Sequence, residues 1–172
     1  TGLIPRLDVP EQHIELEDWQ KFDLGCLMGW VHKDTGRRRF RLGYTRIARG
    51  HAKTTLAAGL ANYFMLGDAM YPPGQPEYAQ FEMQPQINIV AVDRAQGNIA
   101  RGDIADMARA TPAFLKRLSV KNTYIRHKVR GGSVEVFSRD TNNKDGGRPS
   151  LIITEEWHAH VNSKVHDVAV SG

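Results

Sequence analysis

The chain has 172 residues, 41% hydrophobic and 24% charged, with a formal net charge of +4. That is enough chain for one α/β domain with a sizeable core, and the composition excludes collagen-like and disordered classes. A lone cysteine, Cys26, excludes an internal disulfide framework and fits a reducing compartment, and no apolar run approaches the roughly 20 residues of a membrane-spanning helix.

Residues 1–15 read as an extended approach segment. Asp18 is a candidate cap for a helix over residues 19–32, with Trp19, Phe22, Cys26, Leu27 and Trp30 near one face. Cys26 is therefore expected to be buried. After a polar turn, the alternation of Phe40, Leu42 and Tyr44, with Ile47 after a phase slip, predicts a strand over residues 40–47. A short loop then leads into a strongly helical segment from Lys53 to about Leu66. Pro72, Pro73, Gly74 and Pro76 mark residues 67–85 as an excursion from the core.

Residues 87–92 have the β-branched character of a buried strand, and residues 94–110 predict a helix limited by Pro112. Residues 124–128 and 133–137, joined through Gly131-Gly132, predict a β-hairpin. A polar loop over residues 138–150 leads to a second buried strand at 151–154, and another helix is expected to begin near Glu156. The order predicts a mainly parallel α/β core with inserted antiparallel strands.

Charge is unevenly placed. Lys33, Arg37, Arg38, Arg39, Arg41, Arg46, Arg49 and Lys53 face only Asp34 over their stretch. A second stretch holds Lys116, Arg117, Lys121, Arg126, Lys128 and Arg130, with no carboxylate from Pro112 through Val134. Either patch can meet DNA phosphates, nucleotide phosphates or an acidic subunit surface, or form a solvated edge.

Ile47-Ala48-Arg49-Gly50-His51-Ala52-Lys53-Thr54-Thr55 is the most informative segment. A preceding strand is expected to fix the loop, while the following helix points its free backbone N–H groups at a bound phosphate. Lys53 can set a compact positive charge beside the β- and γ-phosphates, Thr54 can offer a hydroxyl to Mg²⁺, and Arg49 can add a bidentate phosphate contact. The first glycine of a complete Walker A sequence is absent, and Ala52 stands where a glycine usually precedes the lysine.

Leu151-Ile152-Ile153-Thr154-Glu155-Glu156 is the partner motif: an apolar strand delivers two carboxylates at its carboxyl end, where open parallel sheets place ligands. Glu155 is suited to hold Mg²⁺ and Glu156 to polarise an attacking water. The usual metal carboxylate here is aspartate. His158 and His160 supply only two metal ligands, so a nucleotide-sensing or local capping role suits them better than a zinc site.

Taken together these segments resemble the large terminase subunit of tailed bacteriophages, of the HK97 type. The resemblance rests on Leu16-Glu17-Asp18-Trp19-Gln20-Lys21-Phe22, on Arg49-Gly50-His51-Ala52-Lys53-Thr54 and on Ala91-Val92-Asp93-Arg94-Ala95-Gln96. Its most specific part is the run from Gly146 through the strand to Glu155-Glu156-Trp157-His158-Ala159-His160. Glu155 in place of aspartate and Ala52 in place of glycine depart from the family pattern.

The resemblance implies a P-loop NTPase of the ASCE type, with a mainly parallel central sheet, helices on both faces and an inserted β-hairpin. Residues 1–172 would be the N-terminal ATPase domain, stopping before its last core strand, with a C-terminal nuclease domain lying beyond. ATP and Mg²⁺ are the implied cofactors. Gln20 would read the adenine edge and Trp19 support it, while Arg49, Gly50, His51, Ala52, Lys53, Thr54 and Thr55 would hold the phosphates. Thr54 and Glu155 would hold the metal, with Lys53, Glu156 and Arg49 as catalytic groups. Arg139 or Arg148 would reach a neighbouring subunit's γ-phosphate, and His158 would sense nucleotide.

Implied partners are double-stranded DNA, further large-terminase subunits in a ring, the procapsid portal and the small terminase subunit, in the cytoplasm of an infected bacterium and with no membrane. A helicase or remodelling ATPase would share the phosphate chemistry. A nucleotide-responsive DNA-binding module without turnover would share the fold.

Overall fold

The computed structural model describes residues 14–48, 50–75, 78–138 and 148–157. Helix α1 spans Asp18–Gly29, starting one residue before and ending three residues short of its predicted span. Glu17, not Asp18, is its N-cap. The Glu17 carboxylate accepts the backbone N–H of Gln20, and Gln20 Oε1 accepts the backbone N–H of Glu17 at 2.9 Å. Two N–H groups that the helix cannot satisfy are thereby paired. The apolar face expected to be buried is largely open, with Phe22 70% and Trp30 55% exposed and Cys26 half-buried.

The strand predicted over residues 40–47 does not form. Residues 40–48 are irregular and have no ladder partner among the described residues, and Leu42 and Tyr44 are exposed. Alternation suits one face of a strand, but pairing requires a neighbour to take the backbone hydrogen bonds. The nearby bridge joins Val31 to Arg38.

Helices α2, Lys53–Leu66, and α3, Arg94–Ala110, keep their predicted limits. Asp93 caps α3 by accepting the Gln96 N–H at 2.8 Å. Gly97 weakens a helix interior, yet a Cβ there would run into Val136, so its absence lets α3 close on the sheet. Ala58 and Ala61 on α2, with Ala105 and Ala108 on α3, are buried small residues that permit close helix packing. Asn62 Nδ2 ties the two together, donating to the carbonyls of Ala58 and Ile104.

The excursion contains a small antiparallel pair, β1 (Ala69–Met70) and β2 (Gln80–Phe81). The main sheet is built from β3 (Gln86–Val90), β4 (Leu118–Val120), β5 (Ile125–His127), β6 (Gly131–Phe137) and β7 (Leu151–Thr154). A short helix α4, Pro112–Arg117, leads directly into β4, and neither was predicted. The sheet order is β4-β5-β6-β3-β7. Strand β3 runs parallel to both β6 and β7, whereas β4, β5 and β6 are antiparallel.

Ile87, Ile89, Val134, Leu118 and Ile125 meet α2 and α3 in the main core, and Val90, Phe137 and Ile152 form a smaller cluster. Parallel register sets Val90 beside Phe137 and Thr154, so the carboxyl ends of three strands finish at one edge.

The turn between β5 and β6 is clasped from within. Arg130 donates to the carbonyls of Glu82, Met65 and Leu66, the last two at the carboxyl end of α2. His127 Nδ1 accepts the backbone N–H groups of Val129 and Arg130, which requires that nitrogen to be unprotonated. Burial first, then Arg130 and Arg117, push the His127 pKa down. The unfolded chain therefore takes up this proton before the folded one, as pH falls through about 6.5. Stability from this group should be full above that pH and decline below it. In denaturant titrations at about pH 7.5 and about pH 5.5, wild type should lose more stability than His127→Gln. Equal losses would contradict the clasp.

Candidate functional site

The site forms where the start of α2 faces the end of β7. The Glu155 backbone N–H donates to the Val90 carbonyl at 2.9 Å, extending the β3–β7 ladder by one bond past Thr154. Glu156 then turns into the left-handed region, at φ 47°. Its Oε1 stands 3.8 Å from Lys53 Nζ. Two motifs a hundred residues apart in the chain are thus brought side by side.

The loop before α2 is shaped for close approach by an anion. Gly50 has φ 83° and Ala52, the N-cap of α2, has φ 53° and ψ 35°. Left-handed residues ahead of a helix turn successive N–H groups toward one side, as anion-binding nests do. Ala52 adopts the conformation that favours the glycine it replaces, and retains the loop shape at a cost in strain. Thr54 and Thr55 are half-buried in the first turn of α2.

Two carboxylates crowd the opposite wall. Burial is the main cause raising the Glu155 carboxyl above its ordinary pKa, and the neighbouring charge of Glu156 adds to it; Lys53 opposes both, and Asp103 adds a further raising effect. Asp103 lies on α3 and its own carboxyl is raised by burial and by Asp106. Sequence reasoning missed Asp103, because an acid on an amphipathic helix looks like any solvent-facing one.

The hydroxyl and carboxylate oxygens of Thr54 and Glu155 are the hard donors that Mg²⁺ takes. Among the described residues there is no group of three or more His, Cys, Asp or Glu side chains that could hold a metal.

An open cavity of about 480 Å³ adjoins the loop, lined by Trp19, Asp23, Tyr44, Arg46 and His51 among others. Trp19 reaches it from α1. Gln20 does not line it: this residue is 7% exposed, and its side-chain oxygen is held in the α1 cap. Arg148 stands ahead of β7, at the end of the strand away from Glu155 and up to roughly 23 Å of extended chain from it. It does not join this subunit's cleft. Arg49, Arg139, His158 and His160 lie outside the described residues.

Residues 18–171 match the family model described as terminase large subunit, ATPase domain. No curated protein matches the chain in sequence. Among solved structures, the large terminase of HK97 bacteriophage is similar, with a TM-score of 0.70 and 18% identity, covering 93% of this chain and 31% of that one. The chain thus spans about a third of the length of that structure, and the likeness shows a common fold.

The left-handed Ala52 yields a stability test. Relieving its strain returns about 1–2 kcal/mol, whereas glycine's extra freedom in the unfolded chain costs about 0.4–1 kcal/mol. Ala52→Gly should therefore stabilise the protein by about 0.5–1 kcal/mol in chemical denaturation. Destabilisation of that size would show that the alanine is not strained.

Proposed function

The chain belongs to the terminase large subunit ATPase-domain family, and from that premise we propose that it binds ATP and Mg²⁺ and hydrolyses ATP in a viral DNA-packaging motor. The observation that carries this reading is the approach of Lys53 Nζ to Glu156 Oε1 at 3.8 Å. It brings a cation fit for phosphate and a carboxylate fit for water to one opening.

In this reading the N–H groups from Gly50 to Thr55 cradle the phosphates, and Lys53 neutralises charge that builds on them. Thr54 and Glu155 hold Mg²⁺, which offsets phosphate charge when bound. Glu155 is one methylene longer than the usual aspartate, and its half-buried carboxyl suits a partner cation. Glu156 orients water for in-line attack. The left-handed turn at Glu156 separates its direction from that of Glu155, so adjacent acids serve two tasks.

Trp19 supplies an aromatic wall for the base at the loop-side cavity. Gln20 fixes the start of α1 and so the placement of Trp19; reading the adenine edge would require it to leave Glu17. Arg49, Arg139 and His158 keep their proposed roles as phosphate contact, trans-acting arginine and nucleotide sensor, with Arg148 the alternative trans-acting group.

In the complete protein, turnover would drive double-stranded DNA into a procapsid. The chain would act within a ring of large-terminase subunits docked on the portal and supplied by the small subunit, in the infected bacterium's cytoplasm. Residues 1–172 would form the ATPase part, with a nuclease domain elsewhere. No helix among the described residues is long and apolar enough to cross a membrane.

The division of labour is testable in the full-length protein by single-turnover hydrolysis and ATP–Mg²⁺ calorimetry. Glu156→Gln should slow chemistry by roughly 10²–10³-fold, the scale of one lost transition-state interaction, while keeping ATP affinity. Glu155→Gln and Lys53→Ala should weaken ATP–Mg²⁺ binding as well as turnover. Near-normal hydrolysis in Glu156→Gln with severe loss in Glu155→Gln would make Glu155 the water-orienting residue instead. Unchanged affinity in Lys53→Ala would remove the phosphate-loop assignment.

A further inference from the structure

The second basic stretch of the sequence is sorted by the fold into two populations. Arg130 is drawn inward, donating to three carbonyls, and Lys128 Nζ donates to the Leu115 carbonyl at 2.6 Å. The structure withdraws Arg130 from the free basic surface, whereas Lys128 stays exposed with its ammonium engaged. Lys116, Arg117, Lys121 and Arg126 remain exposed.

Register places most of these on one face. Strands β4 and β5 pair Leu118 with His127, Ser119 with Arg126 and Val120 with Ile125. The ladder is prolonged at both ends, since Lys128 N–H donates to the Arg117 carbonyl and Lys121 N–H to the Tyr124 carbonyl. Side chains alternate faces along a strand. Leu118, Val120, Ile125 and His127 turn inward, where Leu118, Ile125 and His127 are buried. Ser119 turns outward beside Arg126, and the exposed Arg117, Lys121, Tyr124 and Lys128 flank this pair.

Arg117 and Lys128 are therefore neighbours across the two strands, a like-charge placement that lowers stability. Arg117 also helps depress the pKa values of His127 and Arg130. The ion pairs among the described residues are Lys21–Asp18, Arg38–Asp68, Lys53–Glu156 and Arg109–Asp106, and none lies on this face. Arg126 is steadied over the Tyr124 ring, 5.9 Å from its centroid. Cations gathered at a cost to stability, with no carboxylate supplied by their own stretch of chain, match a polyanion.

We propose that the outward face of the β4–β5 ribbon, through Arg117, Lys121 and Arg126, binds the phosphate backbone of double-stranded DNA. Arg117, the last residue of α4, and Lys121 flank β4 at its two ends, so the face offers cations along the length of the ribbon. The contact is to phosphates and is independent of base sequence. This rests on the packaging reading, and it assigns the DNA to a face remote from the cleft: β4 lies four strands from β7, about 19 Å across the sheet.

The test uses the full-length protein and a short random-sequence duplex, with binding followed by anisotropy at several salt concentrations. The combined variant Arg117→Gln, Lys121→Gln, Arg126→Gln should bind at least about tenfold more weakly, with a salt slope smaller by about 2–3. Circular dichroism and ATP–Mg²⁺ affinity should be unchanged. Arg117→Lys with Arg126→Lys keeps the charge and should keep the slope. Unaltered DNA affinity and slope in the folded glutamine variant would overturn the proposal. So would loss of self-association with DNA binding intact, which would assign the face to an acidic subunit surface. Failure of the nucleotide reading would appear separately, as ATP affinity insensitive to Lys53→Ala.

Discussion

The hydrogen bond from the Glu155 N–H to the Val90 carbonyl fixes the acidic strand end in space. It continues a parallel ladder in which Ile87, Asn88, Ile89 and Val90 pair with Leu151, Ile152, Ile153 and Thr154. Slipping that register by one residue would reverse every side chain of β7. Leu151 and Ile153 would leave the main core, and the two glutamates would no longer present the same groups to Lys53. Strand β3 is interior, flanked by β6 and β7, so the placement of the acidic strand end is secured by a well-buried part of the molecule.

Around that fixed point the site concentrates unfavourable local features. Ala52 and Glu156 are left-handed non-glycine residues on opposite walls, each costing on the order of 1–3 kcal/mol. Two adjacent carboxylates stand half-buried, with Asp103 adding to their field. Such features persist only where rigid surroundings impose them. The buried alanines of α2, the Asn62 bridge to α3 and the parallel ladder provide that rigidity. A cation near the carboxylates would offset their mutual repulsion.

Much of this was legible in the chain. Helices at Lys53–Leu66 and Arg94–Ala110 show strong local signals, a basic loop before one and a limiting Pro112 after the other. Strands β3 and β7 are short apolar β-branched runs, and the Lys53 and Glu155-Glu156 motifs could be paired by chemistry alone. Where prediction failed, tertiary context decides. Residues 40–47 alternate as a strand does, but have no ladder partner among the described residues. Helix α4 and β4 are short and continuous, and periodicity needs longer windows than these. Gln20 could not be read as a capping residue without knowing that Glu17, rather than Asp18, begins the helix. The inward turn of Arg130 depends on carbonyls at Met65, Leu66 and Glu82, distant in sequence and visible only in the fold.

The most direct measurement is a crystal structure of the full-length protein with Mg²⁺ and a non-hydrolysable ATP analogue. The account expects the β- and γ-phosphates on the N–H groups of residues 50–55, with Lys53 Nζ moved from Glu156 onto the γ-phosphate. It expects Mg²⁺ beside Thr54 and Glu155, and the base against Trp19. Phosphates bound away from this loop, or a Lys53–Glu156 pair left intact beside bound nucleotide, would contradict it.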